Sequence, residues 1–211
     1  MGGNCWRTTG DISDSWGSMS TIGFSQAGHE QYAKPGNWND PDMLVVGLVG
    51  WGPSLHPSKL KPDEQYTHIS LWCLLSAPLL IGCDLTKIDD FTMNLLTNDE
   101  VLAVDQDPLG MQARRVSKGD GREVWAKQLD DGSMAVGLFF VGEDATDPVK
   151  SFPWGDQSSA RITVPASDLG INGKFVVREL WRQQDLGTYE NSFSADVSYH
   201  GVVLIKVTPS K

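Results

Sequence analysis

The feature that most constrains the fold of this chain is a change of pattern at "QDPLG" (Gln106–Gly110). Before it, short apolar segments alternate with helical ones. "LVV" (Leu44–Val46) and "LLIG" (Leu79–Gly82) have the length and composition of short buried strands. Between them, "KPDEQYTHISLWCLLSAP" predicts a helix. Pro62 suits a first helical position, Asp63 and Glu64 suit the first turn, and Pro78 stops it. Ile69, Trp72, Cys73 and Ser76 then share one side. Further on, Thr97 and Glu100 stand at capping-box spacing and predict a second helix start. Strand and helix in alternation predict parallel βα units.

After Gly110 the pattern becomes a succession of strands. "REVWAKQL" and "SMAVGLFFV" flank Asp130-Asp131-Gly132, a strong hairpin signal. "ARITVP", "KFVVRELW" and "GVVLIKVT" follow, rich in β-branched residues and divided by Gly, Asp and Asn. This predicts an antiparallel β-sandwich. The expected organisation is therefore an α/β region over 1–110 and an all-β domain over 111–211.

Charge narrows the function classes. The net charge is −10, and residues 1–110 carry 5 basic against 14 acidic side chains, whereas 111–211 carry 12 against 13. Such acidity argues against nucleic acid and anionic membrane as partners. The longest apolar run, around "LWCLLSAPLLIGC", is interrupted by Pro78. It falls short of the roughly 18 residues a spanning helix needs, and no secretory signal is visible. Cys5, Cys73 and Cys83 form neither an even framework nor a metal-ligand spacing, and all three suit buried thiols. His29, His56, His68 and His200 are equally scattered, so no metal or other cofactor is expected. Eight Trp residues among many acids suit carbohydrate, although each Trp serves a core equally well.

In parallel βα architectures, chemistry sits where a strand ends and its loop begins. Three places fit. "CWRTTGD" offers Arg7 and Asp11, "GNWNDPDMLVVG" offers Trp38, Asn39, Asp40 and Asp42, and "LLIGCDL" ends in Asp84. Carboxylates converging with Arg and Trp suit glycoside hydrolysis, which needs one protonated carboxyl group and one ionised one. Asp40 equally suits a brace for the turn around Pro41. "HEQY" (His29–Tyr32) and "VGWGPSLHP" (Val49–Pro57) are expected in loops, where Trp51 faces either sugar, a core or a partner copy.

"WRTTGDI", "WNDPDMLVVG", "APLLIGCDL", "LLTNDEVLAVDQDPLG" and "VRELWRQQDLGTY" together resemble the C-terminal portion of family 27 glycoside hydrolases, the α-galactosidases. The resemblance runs in order through almost the whole chain. It implies a (β/α)8 (TIM) barrel followed by an antiparallel β-sandwich, with the first half supplying only the last three βα units, a partial barrel. It implies that Asp11 is the general acid/base and that Arg7 binds the sugar near the nucleophile. Asp42 and Met43 match residues beside the galactose pocket, with Trp38 and Asn39 supporting them. The family is retaining, so Asp11 would protonate the leaving oxygen and then deprotonate the incoming water.

One departure is large. The family's nucleophile, an Asp in a Lys-x-Asp-x-Cys-like motif, has no match: Asp63 stands at a helix start, and "TKIDDF" lacks a following Cys. Three strands cannot close a barrel, and open edges are sticky. These residues alone are therefore expected to show little or no hydrolase activity on an α-galactoside, and to associate through exposed barrel edges, as homo-oligomers among other forms. A carbohydrate-binding or self-associating role without catalysis is the alternative. Family analogy places such enzymes outside the cell or in the periplasm.

Overall fold

The computed structural model describes residues 3–142 and 158–210. The first half is mixed. It runs β1 (Cys5–Arg7), α1 (Trp16–Phe24), β2 (Trp38–Asp40), β3 (Leu48–Val49), β4 (His56–Pro57), α2 (Pro62–Leu75), α3 (Asp90–Thr97) and α4 (Asp99–Asp105). β1 and β2 pair in parallel, Cys5 opposite Trp38 and Arg7 opposite Asp40. A parallel bridge, Leu44 to Ile81, sets the segment around Ile81 on the next line of chain.

α2 forms as its sequence predicts. Pro62 opens it, Glu64 closes a capping box onto the Lys61 amide at 2.8 Å, and Ser76 ends it in the left-handed region. Ile69, Trp72, Cys73 and Ser76 are buried, as are most other residues of α2. The helix is covered on nearly all sides because the first half packs on one flank and the β-domain on the other. The next helix starts differently from the expectation. Thr97 ends α3, and the cap of α4 is Asn98, whose side chain accepts from the Val101 amide. Asn98 is one residue nearer to α4, and its side chain also donates to the Leu180 and Trp181 carbonyls across the junction.

The second half comprises β5 (Arg114–Gly119), β6 (Arg122–Gln128), β7 (Met134–Phe140), β8 (Ser159–Pro165), β9 (Phe175–Glu179), β10 (Gln184–Tyr189), β11 (Ser192–Ser198) and β12 (Val202–Pro209). The expected β6–β7 hairpin closes with Gly132 at φ +81°. Six strands form one antiparallel sheet in the order β10-β9-β12-β7-β6-β5, and β8 pairs with β11 in a second layer. Alternation along the strands gives the large sheet two buried faces. Val124, Ala126, Val136, Leu138, Val177, Ile205 and Val207 face Ile162, Val164, Phe193 and Val197 of the small sheet. Trp125, Ala135, Phe139 and Leu204 point the other way, into the core built on α2.

At Gly137, α2 comes close against that second face. A Cβ there would lie 2.7 Å from a methyl of Leu74 and 2.5 Å from the Phe139 ring. Gly137→Ala is expected to destabilise the protein by about 1–3 kcal/mol through overpacking, measured by urea denaturation. An unchanged midpoint would show that α2 has room to move.

Two expectations need correction here. Leu80 and Ile81 are about half exposed rather than buried, because the far edge of their segment has no paired strand among the described residues. Cys5 is exposed at the other edge, whereas Cys73 is buried and Cys83 partly so. No described helix is long and apolar enough to cross a membrane.

Candidate active site

The site begins with register. Parallel pairing of β1 and β2 ends both strands at the same level, so the loops that follow leave side by side. Thr8 fixes the junction: its amide donates to the Asp40 carbonyl at 2.9 Å, and its hydroxyl pairs with Gln26 at 2.9 Å. Asp40 then braces the turn around Pro41 by accepting from the Asp42 amide at 2.8 Å. This is the bracing role its sequence context suggested.

Asp42 is the hub. Its backbone stands at φ +94°, a conformation that Asp tolerates better than most residues. Its side chain is almost fully buried and fully engaged. Oδ2 accepts from Arg7 Nη2 and from the Ile12 amide, both at 2.8 Å, while Oδ1 accepts from the Met43 amide at 2.8 Å. The Asp42 carbonyl accepts from Trp72 Nε1 at 2.7 Å, which ties the turn to α2. Arg7 Nη2 also donates to the Gly10 carbonyl at 2.9 Å and lies 3.3 Å from Asp11 Oδ1. Asp11 itself is 98% exposed. A carboxyl group held in water beside an anchored guanidinium is free to meet a ligand, whereas Asp42 is not.

The remaining candidates separate. Met43 is partly buried, its sulfur close against Gly82. Trp38 is half-buried, with its ring edge against Gly110 and Pro35. Asn39 points away from Arg7, since alternate residues of a strand take opposite faces. Its Nδ2 donates to the His29 carbonyl at 2.9 Å and to Gln112 at 2.8 Å. Asp84 does not join the cluster. It caps the short turn Leu85–Lys87, accepting from the Thr86 amide and hydroxyl, and those bonds hold its carboxyl below the usual range. A strand-end position is therefore necessary but not sufficient.

Sequence reasoning missed Asp14. It accepts from His56 Nε2 at 3.0 Å and from the Lys59 amide at 2.9 Å, and so clamps the β3–β4 hairpin to the loop carrying Asp11. Burial works against its ionisation, but these hydrogen bonds and the Lys59 charge outweigh it and lower its pKa. The signal was faint, one acid in a polar run. Two cavities, of about 560 and 600 Å³, lie at the junction with the β-domain; neither is lined by Arg7, Asp11 or Asp42. No cluster of His, Cys, Asp and Glu suited to a metal occurs among the described residues.

The chain thus joins a parallel strand-end site with an exposed carboxyl group to a two-layer β-domain. Residues 2–107 match the family profile described as alpha galactosidase A, and residues 119–207 match the alpha galactosidase C-terminal beta sandwich domain. The chain belongs to the family 27 α-galactosidases, a family of glycoside hydrolases. It is 39% identical over 211 residues to an α-galactosidase of Cyamopsis tetragonoloba, covering 98% of this chain and 45% of that one. It is 39% identical over 213 residues to α-galactosidase A of Homo sapiens, covering 97% and 45% respectively. Among solved structures, a family 27 β-L-arabinopyranosidase from Geobacillus stearothermophilus superposes with a TM-score of 0.83 at 30% identity, covering 98% of this chain and 45% of that one. The chain thus spans about half the length of the curated relatives it matches.

Proposed function

We propose that these 211 residues supply the acid/base side of a retaining α-galactosidase site, acting on terminal α-galactosyl groups. In this reading residues 1–110 form the last three βα units of a (β/α)8 barrel and residues 111–211 the sandwich that supports it. The observation that carries the reading is the Arg7–Asp42–Asp11 cluster at the shared end of β1 and β2. Asp11 donates a proton to the leaving oxygen and later takes one from water. Arg7, fixed by Asp42, holds sugar hydroxyls by charge-assisted hydrogen bonds. Met43 lines the sugar pocket, Asn39 supports the strand from its far face, and Trp38 supports it from the face that Arg7 shares. A retaining mechanism needs a second carboxylate about 5 Å from the first. Asp42 is poorly placed to serve, because Arg7 and two backbone amides take three of its roughly four acceptor sites. In this reading the nucleophile comes from the part of the family's barrel outside these residues, because the family's Lys-x-Asp-x-Cys-like motif has no match here.

The test is an assay of p-nitrophenyl α-galactoside with the 211-residue polypeptide, alone and mixed with the nucleophile-bearing half of a relative. The expected result is no turnover alone and turnover on mixing, lost again with Asp11→Asn. Robust activity of the polypeptide alone would overturn the split of the catalytic pair. Activity that survives Asp11→Asn would overturn the role of Asp11.

A further inference from the structure

The side-chain carbonyl carbon of an Asn lies within reach of the next residue's amide nitrogen. A glycine in that next place puts no Cβ in the way and turns freely. Asn172–Gly173 is the one such pair in the chain. The other six Asn residues each precede a residue fixed in a strand or helix: Cys5, Trp38, Asp40, Leu95, Asp99 and Ser192. A nitrogen held there resists the rotation that would bring it against the side chain. Gly173 is not so held. It lies between the turn Ala166–Leu169 and β9, outside any element, at φ +89°. Both residues are exposed, and nothing lies within 4 Å of where a Gly173 Cβ would stand. Among the described residues, neither the Asn172 side chain nor the Gly173 N–H has a hydrogen-bond partner.

The flanks of the pair, by contrast, are anchored. Ile171 is buried in the sandwich core, and its amide donates to the Ala166 carbonyl at 2.9 Å. Phe175 is buried in the same core, opposite Tyr189 of β10 and Pro209 of β12. The Lys174 carbonyl accepts from the Ser210 amide at 2.8 Å. Asn172 and Gly173 are the link between these anchors, and its length is set by two core side chains.

We infer that Asn172–Gly173 is a self-modification site, where the folded chain loses ammonia and turns the entry to β9 into isoaspartate. The Gly173 nitrogen gives its proton to water and attacks Cγ of Asn172. The Cγ–Nδ2 bond breaks, and the amide nitrogen takes a proton from water and leaves as ammonia. The five-membered imide that remains then takes up one water. Opening at Cγ gives aspartate. Opening at the main-chain carbonyl gives isoaspartate, in which the chain runs on through Cβ and Cγ. In sum one water enters and one ammonia leaves, and either product carries one new negative charge. Isoaspartate also adds a methylene, about 1.5 Å of chain, to the link between Ile171 and Phe175. The start of β9 must then shift against β10 and β12. The free α-carboxylate of that product is the methyl acceptor for a protein isoaspartyl methyltransferase, the class of partner this site fits.

The experiment holds the full chain, folded and separately unfolded in guanidinium chloride, in warm, mildly alkaline buffer over days. Peptide mass mapping follows each Asn. Methyl transfer from S-adenosylmethionine by an isoaspartyl methyltransferase then counts the isoaspartate in the isolated peptides. Asn172 is expected to convert before every other Asn, at a rate in the folded chain close to that in the unfolded one. Asn172→Gln, whose longer side chain would have to close a six-membered ring, is expected to lose methyl acceptance at that position. The isoaspartyl protein is expected to unfold at lower urea than Asn172→Asp, which carries the charge without the added chain. Retention of Asn172 in the folded chain while the unfolded chain converts shows that the fold shields the pair and overturns the inference. Earlier conversion of another Asn overturns it too, as does conversion to aspartate alone with no methyl acceptance. Equal urea midpoints for the isoaspartyl protein and Asn172→Asp overturn the shift of β9. None of these outcomes touches the galactoside reading, which rests on other residues.

Discussion

Asp42→Asn unseats the candidate site and costs the fold about 2–3 kcal/mol, the scale of charge-assisted hydrogen bonds replaced by mismatched donors. The backbone is not the cause, because Asn tolerates the φ +94° at this position as well as Asp does. The acceptor count is. Oδ2 takes two donors, Arg7 Nη2 and the Ile12 amide, and Oδ1 takes the Met43 amide. An asparagine must put its NH2 group against one of those sets. Facing Arg7 and Ile12, it sets donor against donor twice. Turned over, it meets the Met43 amide and leaves one neutral oxygen for a guanidinium. Released from Asp42, Arg7 retains the Gly10 carbonyl and the exposed Asp11. Under the proposed function, affinity for methyl α-galactoside is therefore expected to fall at least tenfold together with the unfolding midpoint. A urea midpoint equal to that of wild type would show that Asp42 is a bystander and that Arg7 is held elsewhere.

Much of this was legible in the sequence where local chemistry and tertiary structure agree. α2 announces itself through Pro62, Asp63, Glu64 and Pro78, and the β6–β7 hairpin through Asp130-Asp131-Gly132. Arg7, Asp11 and Asp42 were visible as strand-end polar residues. What failed depends on contacts that no local pattern encodes. α3 fills the stretch before Thr97 and shifts the cap of α4 to Asn98, whose side chain also reaches Leu180 and Trp181. Asp84 looked like a third site carboxylate, but it spends its oxygens on Thr86.

The junction between the halves shows the same limit. Lys127 lies in a strand where apolar residues would be expected on both faces, yet it is buried. Its ammonium donates to the Val104 carbonyl at 2.7 Å and to the Ser76 hydroxyl at 2.5 Å, both on the first half. Burial pulls its pKa down to about 8, and burial pushes neighbouring Asp105 up to about 6. His200 does similar work at the β11–β12 turn. Its ring lies between Trp16 and Tyr199, at 3.8 and 3.9 Å between centroids, and Nδ1 is 2.7 Å from Glu64. Both residues join sequence positions too far apart for any window of sequence to pair. The sandwich is thereby fastened to α2 by polar contacts as well as by the apolar core.

Acid is expected to unfold this protein through His68. The imidazole is fully buried, and burial pulls its pKa from 6.5 down to about 3. Nε2 accepts from the Val45 amide at 3.0 Å, and the ring meets Trp72 edge-on at 4.1 Å. Protonation would cost that acceptor and place a charge beside α2 in the core. The folded pKa lies below the unfolded one, so the unfolded chain takes up the proton first as pH falls. The His68 contribution is complete above pH 6.5 and is lost as pH falls towards 3. At about 1.4 kcal/mol per unit the loss reaches roughly 4–5 kcal/mol, a large part of the stability of an ordinary domain. Asp14 and Asp131, both with lowered pKa values, add to the loss at the acid end, Asp131 as pH falls from 3.8 towards about 2. His68→Gln keeps an acceptor for the Val45 amide and removes the titration. Its stability is expected to fall less steeply than wild type between pH 6.5 and 3, leaving the slope that belongs to the aspartates. Should that variant fail to fold, proton NMR of wild type decides the matter: the His68 ring signals are expected to stay in the neutral position down to pH 5. Titration of that ring near 6.5 would place His68 in contact with water and remove it from the acid transition.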